Sequence, residues 1–366
     1  MPNTLGIDLS LDRIRKLLTF LPGYTRPTIH IAGTNGKGSV SSLLSSIFQS
    51  SHISFGRFNS PHLVAVHDCI TINGRTVNFS LYTEAWRLVR QANDEHGVGA
   101  SEFELLTSTA MLIFELEKVE VVVLEVGMGG RLDATNVVRD ECVLVDALAS
   151  VDLDHQAILG HTVEEIAREK ARIARRGKPF VLGRQRYAEV VSAVREEVLK
   201  VGGDVVDVWP VRRREWDPSL VLPYFLHPVK ALLPLYGAYQ LDNLAIAATV
   251  ISTLLTHPSC VERASSWLGR LTAETLAAGI KAAGWPGRLS FHSLPVSARI
   301  TVLADGAHNP ASSSTLASYI SHLLSSSSAT HTSSNPPRPR TIHLIYILAL
   351  SHSPPKTPLQ TLSQLL

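Results

Sequence analysis

The chain has 366 residues, 45% of them hydrophobic and 18% charged, with a formal net charge of only +2. That length admits two domains and that balance suits a globular protein with a real core. It excludes a basic nucleic-acid or membrane footprint and a long apolar span, and the three separated cysteines (Cys69, Cys142, Cys260) make no metal spacing.

The N-terminus, with Asp8 and Asp12 among its first twelve residues, reads as an amphipathic helix inside the fold and not as a signal peptide. The odd cysteine count suits a reducing compartment, so a cytoplasmic monomer is expected, with a mitochondrial pool as the alternative. Thr28–Ala32 is a strand, followed by GTNGKGS (33–39) and a helix from about Val40 to Gln49. Strand, glycine loop and helix are the setting of a phosphate loop. A Walker A loop would carry glycine where Ile31 stands and a hydroxyl where Gly38 stands; here the hydroxyl comes one residue late, at Ser39. Gly33, Gly36 and Gly38 let the backbone approach a polyphosphate, whose charge the helix N-terminus favours. Thr34 and Asn35 complete the loop. Lys37 would neutralise phosphate, and Ser39 would bind a phosphate oxygen or magnesium. The competing reading is a flexible glycine turn.

Further along, DCITINGRTV (68–77) alternates around Asn73-Gly74 and predicts a hairpin with a type I′ turn. Glu102–Leu116 reads as a buried helix. Val119–Val126 is a β-branched run, as for a parallel strand covered on both faces, and Cys142–Leu148 repeats the pattern. Glu125 ends the first of these strands, where ligands bind in open α/β sheets, and a carboxylate there calls for a pairing partner or a metal such as magnesium. The alternative is a capped strand end with a glycine turn. Thr162–Arg176 reads as a helix with a Thr162/Glu165 capping box, closed by Gly177. Val163, Ile166, Lys170 and Ile173 share its inner stripe, and Glu164, Glu165, Arg168, Glu169, Arg172, Arg175 and Arg176 cover the other face. An inward lysine tends to lose its proton, and the neutral amine reacts with carbon dioxide to give a carbamate; the competing reading is a lysine that snorkels or pairs with an acid. His155 follows Asp152 and Asp154 and can face the same metal, or be structural.

Asn243, in YGAYQLDNLAIAATV, would begin a helix. WPGR (285–288) marks a change of domain, giving an expected first domain of residues 1–285 and a second of 286–366. The second holds a strand at Arg299–Ala304, DGAHNP (305–310), a helix at Pro310–Leu324, a low-complexity loop at 325–340 expected to be disordered, and a strand at Thr341–Leu350. The alternation of strands and helices predicts a doubly wound, mainly parallel α/β sheet.

In order and spacing GTNGKGS, SPHL (60–63), EVGMGGRLDATN, DHQAILGHT…EKARI, WPGR and DGAHNP resemble the folylpolyglutamate synthase/dihydrofolate synthase family of Mur-ligase-like amide-bond ligases, from about Leu9 to Ala311. The resemblance implies a P-loop-containing Mur-ligase-like central domain and a Rossmann-like C-terminal domain. It implies an ATP-dependent ligase that joins L-glutamate to dihydropteroate or folate through an acyl phosphate, and in this family the displaced hydroxyl is normal. Carried over residue by residue, it makes Lys37 a phosphate ligand. Ser60 and Glu125 become ligands of one magnesium ion, with Ser39 nearby. Glu125, His155 and a carbamylated Lys170 become ligands of a second. Asn243, Arg288, Asp305 and His308 become ATP contacts, Arg288 and His308 brought in by domain closure, and Asp133 a candidate pterin contact. SEFELLT (101–107) and HDCITING favour the dihydrofolate synthase branch over folylpolyglutamate synthase. The departure lies at the C-terminus, where the family implies roughly five or six strands and this chain is expected to carry two. A truncated, non-catalytic ATP- or folate-binding remnant is therefore the alternative.

Overall fold

The computed structural model describes residues 10–209, 211–213, 218–220, 224–225, 227–294, 300–328, 344–348, 357, 359, 363 and 365. The described residues fall into two compact units. One contains residues up to Leu153 and those of His161–Trp285; the other contains Asp154–Gly160 and residues from Pro286 onward.

The first unit is built on strands β1 (Thr28–Ala32), β2 (Phe55–Phe58), β3 (Ile70–Ile72), β4 (Arg75–Thr76), β5 (Val121–Glu125), β6 (Val143–Leu148), β7 (Pro179–Leu182) and β8 (Asp204–Asp207). They form one sheet in the order β4-β3-β2-β5-β1-β6-β7-β8. Pairing is parallel from β2 through β8, and antiparallel only at the β2–β3–β4 edge. The β3–β4 turn has Asn73 and Gly74 at φ 48° and 75°, the left-handed pair that a type I′ hairpin requires. Helices α1 (Asp12–Leu18), α2 (Lys37–Ser50), α3 (Phe79–Glu95) and α4 (Glu102–Leu116) come from the first half. After α5 (Gln156–Leu159), which belongs to the second unit, come α6 (Val163–Ala171), α7 (Ala188–Val201), α8 (Tyr239–Thr256), α9 (Pro258–Ala264) and α10 (Ala273–Ala282).

Period-two alternation divides the apolar residues of the central strands between two cores. Ile29, Ile31, Phe55, Val121 and Val123 pack with α2, α8 and α10, while Phe58, Val122 and Leu124 pack with α3 and α4. Covered on both faces, β1, β5 and β6 are buried at every position; β5 reads as a nearly unbroken apolar run up to Glu125, whereas β1 and β6 bury His30 and Asp146 among their apolar residues. From β1 the chain passes through α2 to one side of the sheet, whereas β6 lies on the other side. The loop after β1 therefore opens at a topological switch point. A small antiparallel sheet follows α7: β9 (Val211–Arg213), β10 (Pro218–Leu220) and β11 (Val229–Lys230).

The second unit holds α5, β12 (Ser290–Leu294), β13 (Ile300–Ala304) and α11 (Pro310–Ser328), with β12 and β13 antiparallel. Among the described residues no single helix is long and apolar enough to cross a membrane.

Several elements differ from their sequence expectation. The helix expected to reach Arg176 ends at Ala171, and the chain beyond it buries Arg175, which a continued helix would have held on the outer face. Arg175 is thus buried and not on the solvent face; it donates to Asn136 and to the Val138 carbonyl and pairs with Asp140. Asn243 lies in the second turn of α8, since the helix already begins at Tyr239 behind Gly237 at φ 100°. Helix α11 continues to Ser328 through the start of the expected loop, and residues 329–340 lie outside the described residues. Residues 344–348 are exposed and form no strand, having no ladder partner among the described residues; the rest of that expected strand lies outside them. Strand β12 was not expected at all: SFHSL is short, and only its register with β13 makes it a strand.

Candidate active site

Gly36, at φ 95°, caps α2, so the amides of Lys37, Gly38 and Ser39 stand at the helix start without intrahelical acceptors. The loop is braced from β6's side. Thr34 and Asn35 donate their amides to the Ser150 carbonyl at 2.8 and 3.2 Å, and the Thr34 hydroxyl lies 3.1 Å from the Asp152 carbonyl. On the other side, α8 closes in. The Asn243 side chain packs where a Gly36 Cβ would stand, and Asn243 donates to Gln240, which donates to Ser39 Oγ at 3.3 Å. Ser39 is buried, and its hydroxyl is engaged with Gln240.

The place of Gly38 explains the departure from the Walker pattern. The Trp285 ring lies against it, 2.7 Å from where a Cβ would stand. Trp285 is held by Ser42, which donates to the Gly284 carbonyl at 2.8 Å, and by the Arg57 guanidinium, 5.0 Å above its ring. Arg57 shares its strand face with Phe55, toward α2. Burial pushes the guanidinium down to about 10, with Glu125 opposing.

Two lysine amines converge on one oxygen. Lys37 Nζ donates to the Gly33 carbonyl at 3.1 Å, and Lys170 Nζ donates to the same carbonyl at 3.0 Å. Lys170 is 3% exposed, so the inward position read from its helical stripe holds. Lys37 Nζ also lies 3.8 Å from Glu125 Oε1, and Asn59 donates to Glu125 Oε2 at 2.6 Å. Glu125, 5% exposed, thus stands at the carboxyl end of β5 beside the phosphate loop; Ser60 directly follows Asn59.

The glycine turn after Glu125 packs against α6. A Cβ on Gly130 would meet the Glu169 carbonyl at 2.7 Å, and Arg131 donates its amide to that carbonyl. Close approach of the two backbones sets Lys170 near the loop. Asp133 closes the turn: Oδ2 accepts from the Met128 amide at 2.7 Å, and Oδ1 from the Thr135 amide and hydroxyl at 3.0 and 2.5 Å. Burial raises its carboxyl despite these bonds.

In the second unit, three motifs far apart in sequence adjoin. Asp305 accepts from the amides of Leu289 and Ala307, and the Gly306 amide donates to the Gly287 carbonyl. Arg288 lies over Gly306, where a Cβ would collide with its guanidinium. His308 Nε2 is 3.5 Å from the buried Asp154, and Asn309 donates to the same carboxylate at 3.4 Å. His155, next to Asp154, caps α5 at φ 49°, an uncommon conformation for a non-glycine residue.

The first unit therefore gathers Gly33–Ser39, Lys170, Glu125, Asn243 and the Ser60 strand end, and the second gathers His155, Arg288, Asp305 and His308. Among the described residues no group of three or more His, Cys, Asp or Glu side chains is clustered as a metal site. Sequence reading missed Asn59, Gln240 and Arg57. Asn59 directly precedes SPHL and was within reach of it; the other two act only through contacts across the fold.

No protein-family model matches the chain. It is 36% identical over 324 residues to a dihydrofolate synthetase of Saccharomyces cerevisiae, covering 86% of this chain and 73% of that protein. It is 34% identical over 327 residues to a probable dihydrofolate synthetase of Schizosaccharomyces pombe, covering 86% and 72%. A solved structure of Mycobacterium tuberculosis folylpolyglutamate synthase complexed with ADP and AMPPCP is similar with a TM-score of 0.73 at 32% identity, covering 86% of this chain and 71% of that one. Escherichia coli FolC in complex with DHPP and ADP is similar with a TM-score of 0.70 at 29% identity, covering 87% and 72%.

Proposed function

This chain belongs to the folylpolyglutamate synthase/dihydrofolate synthase family of ATP-dependent ligases, and from that premise we propose that it joins L-glutamate to the carboxylate of dihydropteroate. The observation that carries the reading is the convergence of Lys37, Lys170 and Glu125 at the mouth of the glycine loop. The similarity to two yeast dihydrofolate synthetases supports the choice of acid.

ATP seats its phosphates on the amides at the start of α2 and on Lys37. The γ-phosphoryl group passes to the dihydropteroate carboxylate: the bond to the β-phosphate oxygen breaks, a bond from the carboxylate oxygen to phosphorus forms, and ADP is released. The glutamate amine then bonds to the acyl carbon and gives up a proton as phosphate leaves. Lys37 carries the charge that spreads over the transferred group, so placement and charge do the catalytic work. Asn59 orients Glu125, and Asn243 and Gln240 fix the loop.

The donor set fits magnesium. Glu125 is a hard oxygen ligand at the strand end, Ser60 adds a hydroxyl, and Mg²⁺ typically takes one or two carboxylates and completes its shell with water and phosphate. When bound, the ion neutralises phosphate charge. Lys170 adds to this set as a carbamate. Lys170 is buried and shares its acceptor with Lys37, and a carbamate there would replace a buried positive charge with an oxygen ligand for the ion. Under ¹³CO₂ the wild-type chain should show a carbamate carbon resonance that is absent from Lys170→Ala. Lys170→Ala should lose nearly all turnover and regain part of it with added short-chain carboxylic acids; full activity without them would exclude the carbamate.

The function is tested by ADP release. It should require dihydropteroate, L-glutamate and Mg²⁺ together. Release with a tetrahydrofolate glutamate but not with dihydropteroate would assign the chain to polyglutamylation instead.

A further inference from the structure

His30 on β1 and Asp146 on β6 are register partners in the sheet interior, both fully buried. His30 Nδ1 lies 3.7 Å from Asp146 Oδ1. Among the described residues neither Nδ1 nor either Asp146 oxygen has a hydrogen-bond partner. On its other side, His30 Nε2 is 2.8 Å from Thr135 Oγ1, and Thr135 Oγ1 is 2.5 Å from Asp133 Oδ1. Buried polar atoms without partners are costly, so the protons in this line must be accounted for.

Asp133 accepts backbone amides from Met128 and Thr135, whereas Asp146 accepts none among the described residues. Burial raises both carboxyls, and the amides and the Thr135 hydroxyl favour the charged form of Asp133 in a way that nothing among the described residues does for Asp146. The Thr135 hydroxyl gives its hydrogen to Asp133, which leaves its oxygen to accept from His30 Nε2–H. Nδ1 then presents a lone pair to Asp146. Two facing acceptors 3.7 Å apart in a dry interior repel, and a proton on the Asp146 carboxyl removes that repulsion. The surroundings agree. Burial pushes Asp146 up to about 7, with Arg175 and Lys178 opposing and Asp140 adding, and burial together with Arg175 holds His30 well below the usual histidine range.

We propose that His30 and Asp146 are positioning residues for the ligase reaction: the Thr135–Asp133 bond on one side and a protonated Asp146 facing Nδ1 on the other keep His30 an Nε2–H donor, and through Thr135 and Asp133 this sets the 127–133 turn that follows Glu125. The line crosses from β6 through β1 to the turn that packs on the Lys170 end of α6. Its kinetic arm rests on the dihydropteroate reading above; its structural arm does not.

The structural arm is read on the full wild-type chain labelled with ¹⁵N-histidine. At about pH 6 one ring protected from exchange should show a protonated Nε2 and a bare Nδ1. A protected ring with Nδ1–H and a bare Nε2 would overturn the proposal, whether or not the chain has ligase activity. For the kinetic arm, His30→Gln keeps an amide N–H near Nε2 and should hold kcat/KM for dihydropteroate within about threefold. His30→Met has no donor and should lose roughly tenfold, the size of one hydrogen bond to a charged line, with KM for ATP within about twofold. Equal losses in the Gln and Met variants, or parallel rises in both KM values, would reduce His30 to a packing residue.

Discussion

Single residues decide how nucleotide chemistry is built into this fold. Gly38 is glycine because the Trp285 ring occupies the space of its Cβ, and the ring is braced by Arg57 and by the Ser42–Gly284 bond. Gly38→Ser would restore the Walker hydroxyl position and damage the site: forcing a side chain against the ring costs about 1–3 kcal/mol, so ATP affinity measured by calorimetry should fall roughly five- to hundredfold. An unchanged affinity would show that the ring yields freely. Asp146 gives a pH signature. Its carboxyl ordinarily titrates at 3.8 and is raised to about 7 in the fold, so the folded chain holds this proton where the unfolded chain has lost it. This contribution to stability falls as pH climbs from about 4 to about 7. Asp146→Asn should remove that slope, and its melting temperature relative to wild type should be higher at pH 8 than at pH 4; parallel curves would contradict it. Lys37, Glu125 and the inward Lys170 were legible in the sequence because motif spacing and helical period place them. His30, Arg57 and Gln240 were not, because each is defined by a neighbour more than a hundred residues away.

At the scale of elements, the helix that presents Lys170 is held at both ends. Thr162 and Glu165 form the capping box that the sequence announces. Its outer face is clamped to α7: Arg168 and Arg172 each reach Glu197 at 3.0 Å, and Lys200 reaches it at 3.1 Å. Burial works to raise the Glu197 carboxyl, but hydrogen bonds from Arg172, Lys200 and Arg168 outweigh it and bring it down to about 2. A depressed carboxyl stabilises the fold above its unfolded value, and that contribution is lost as pH falls toward 2. Glu197→Gln should therefore lower the melting temperature at pH 7, and the gap should close between about pH 5 and pH 2. A gap that persists at low pH would mean that the glutamine itself is misfitted. The capping box was readable because it is local. The premature end of α6 was not, because Arg175 turns inward to partners at 136, 138 and 140 that no local pattern reveals. The buried strand β5 was readable for the opposite reason: burial on both faces leaves an apolar run that needs no partner to be recognised, and β6 was readable less cleanly because Asp146 interrupts it.

At the scale of the molecule, the chain spans 73% of its Saccharomyces cerevisiae relative, and its two units differ in how they are finished. The first buries its strands on both faces. The second exposes apolar side chains along its hairpin, with Ile300 47% exposed and Leu294 45%. An open apolar sheet face favours self-association. Replacing Ile300 and Val302 with threonine should reduce concentration-dependent association in sedimentation velocity while leaving ATP affinity unchanged; identical sedimentation would clear this face. Lys37, Lys170 and Glu125 are proposed to serve phosphoryl transfer to a pterin acid's carboxylate. The most direct test uses dihydropteroate labelled with ¹⁸O in that carboxylate, together with ATP, Mg²⁺ and L-glutamate, and reads the released phosphate by ³¹P NMR. An acyl phosphate hands one carboxylate oxygen to phosphorus, so the phosphate should carry one ¹⁸O for each dihydrofolate formed. Unlabelled phosphate, or ATP consumption without dihydrofolate, would contradict the account.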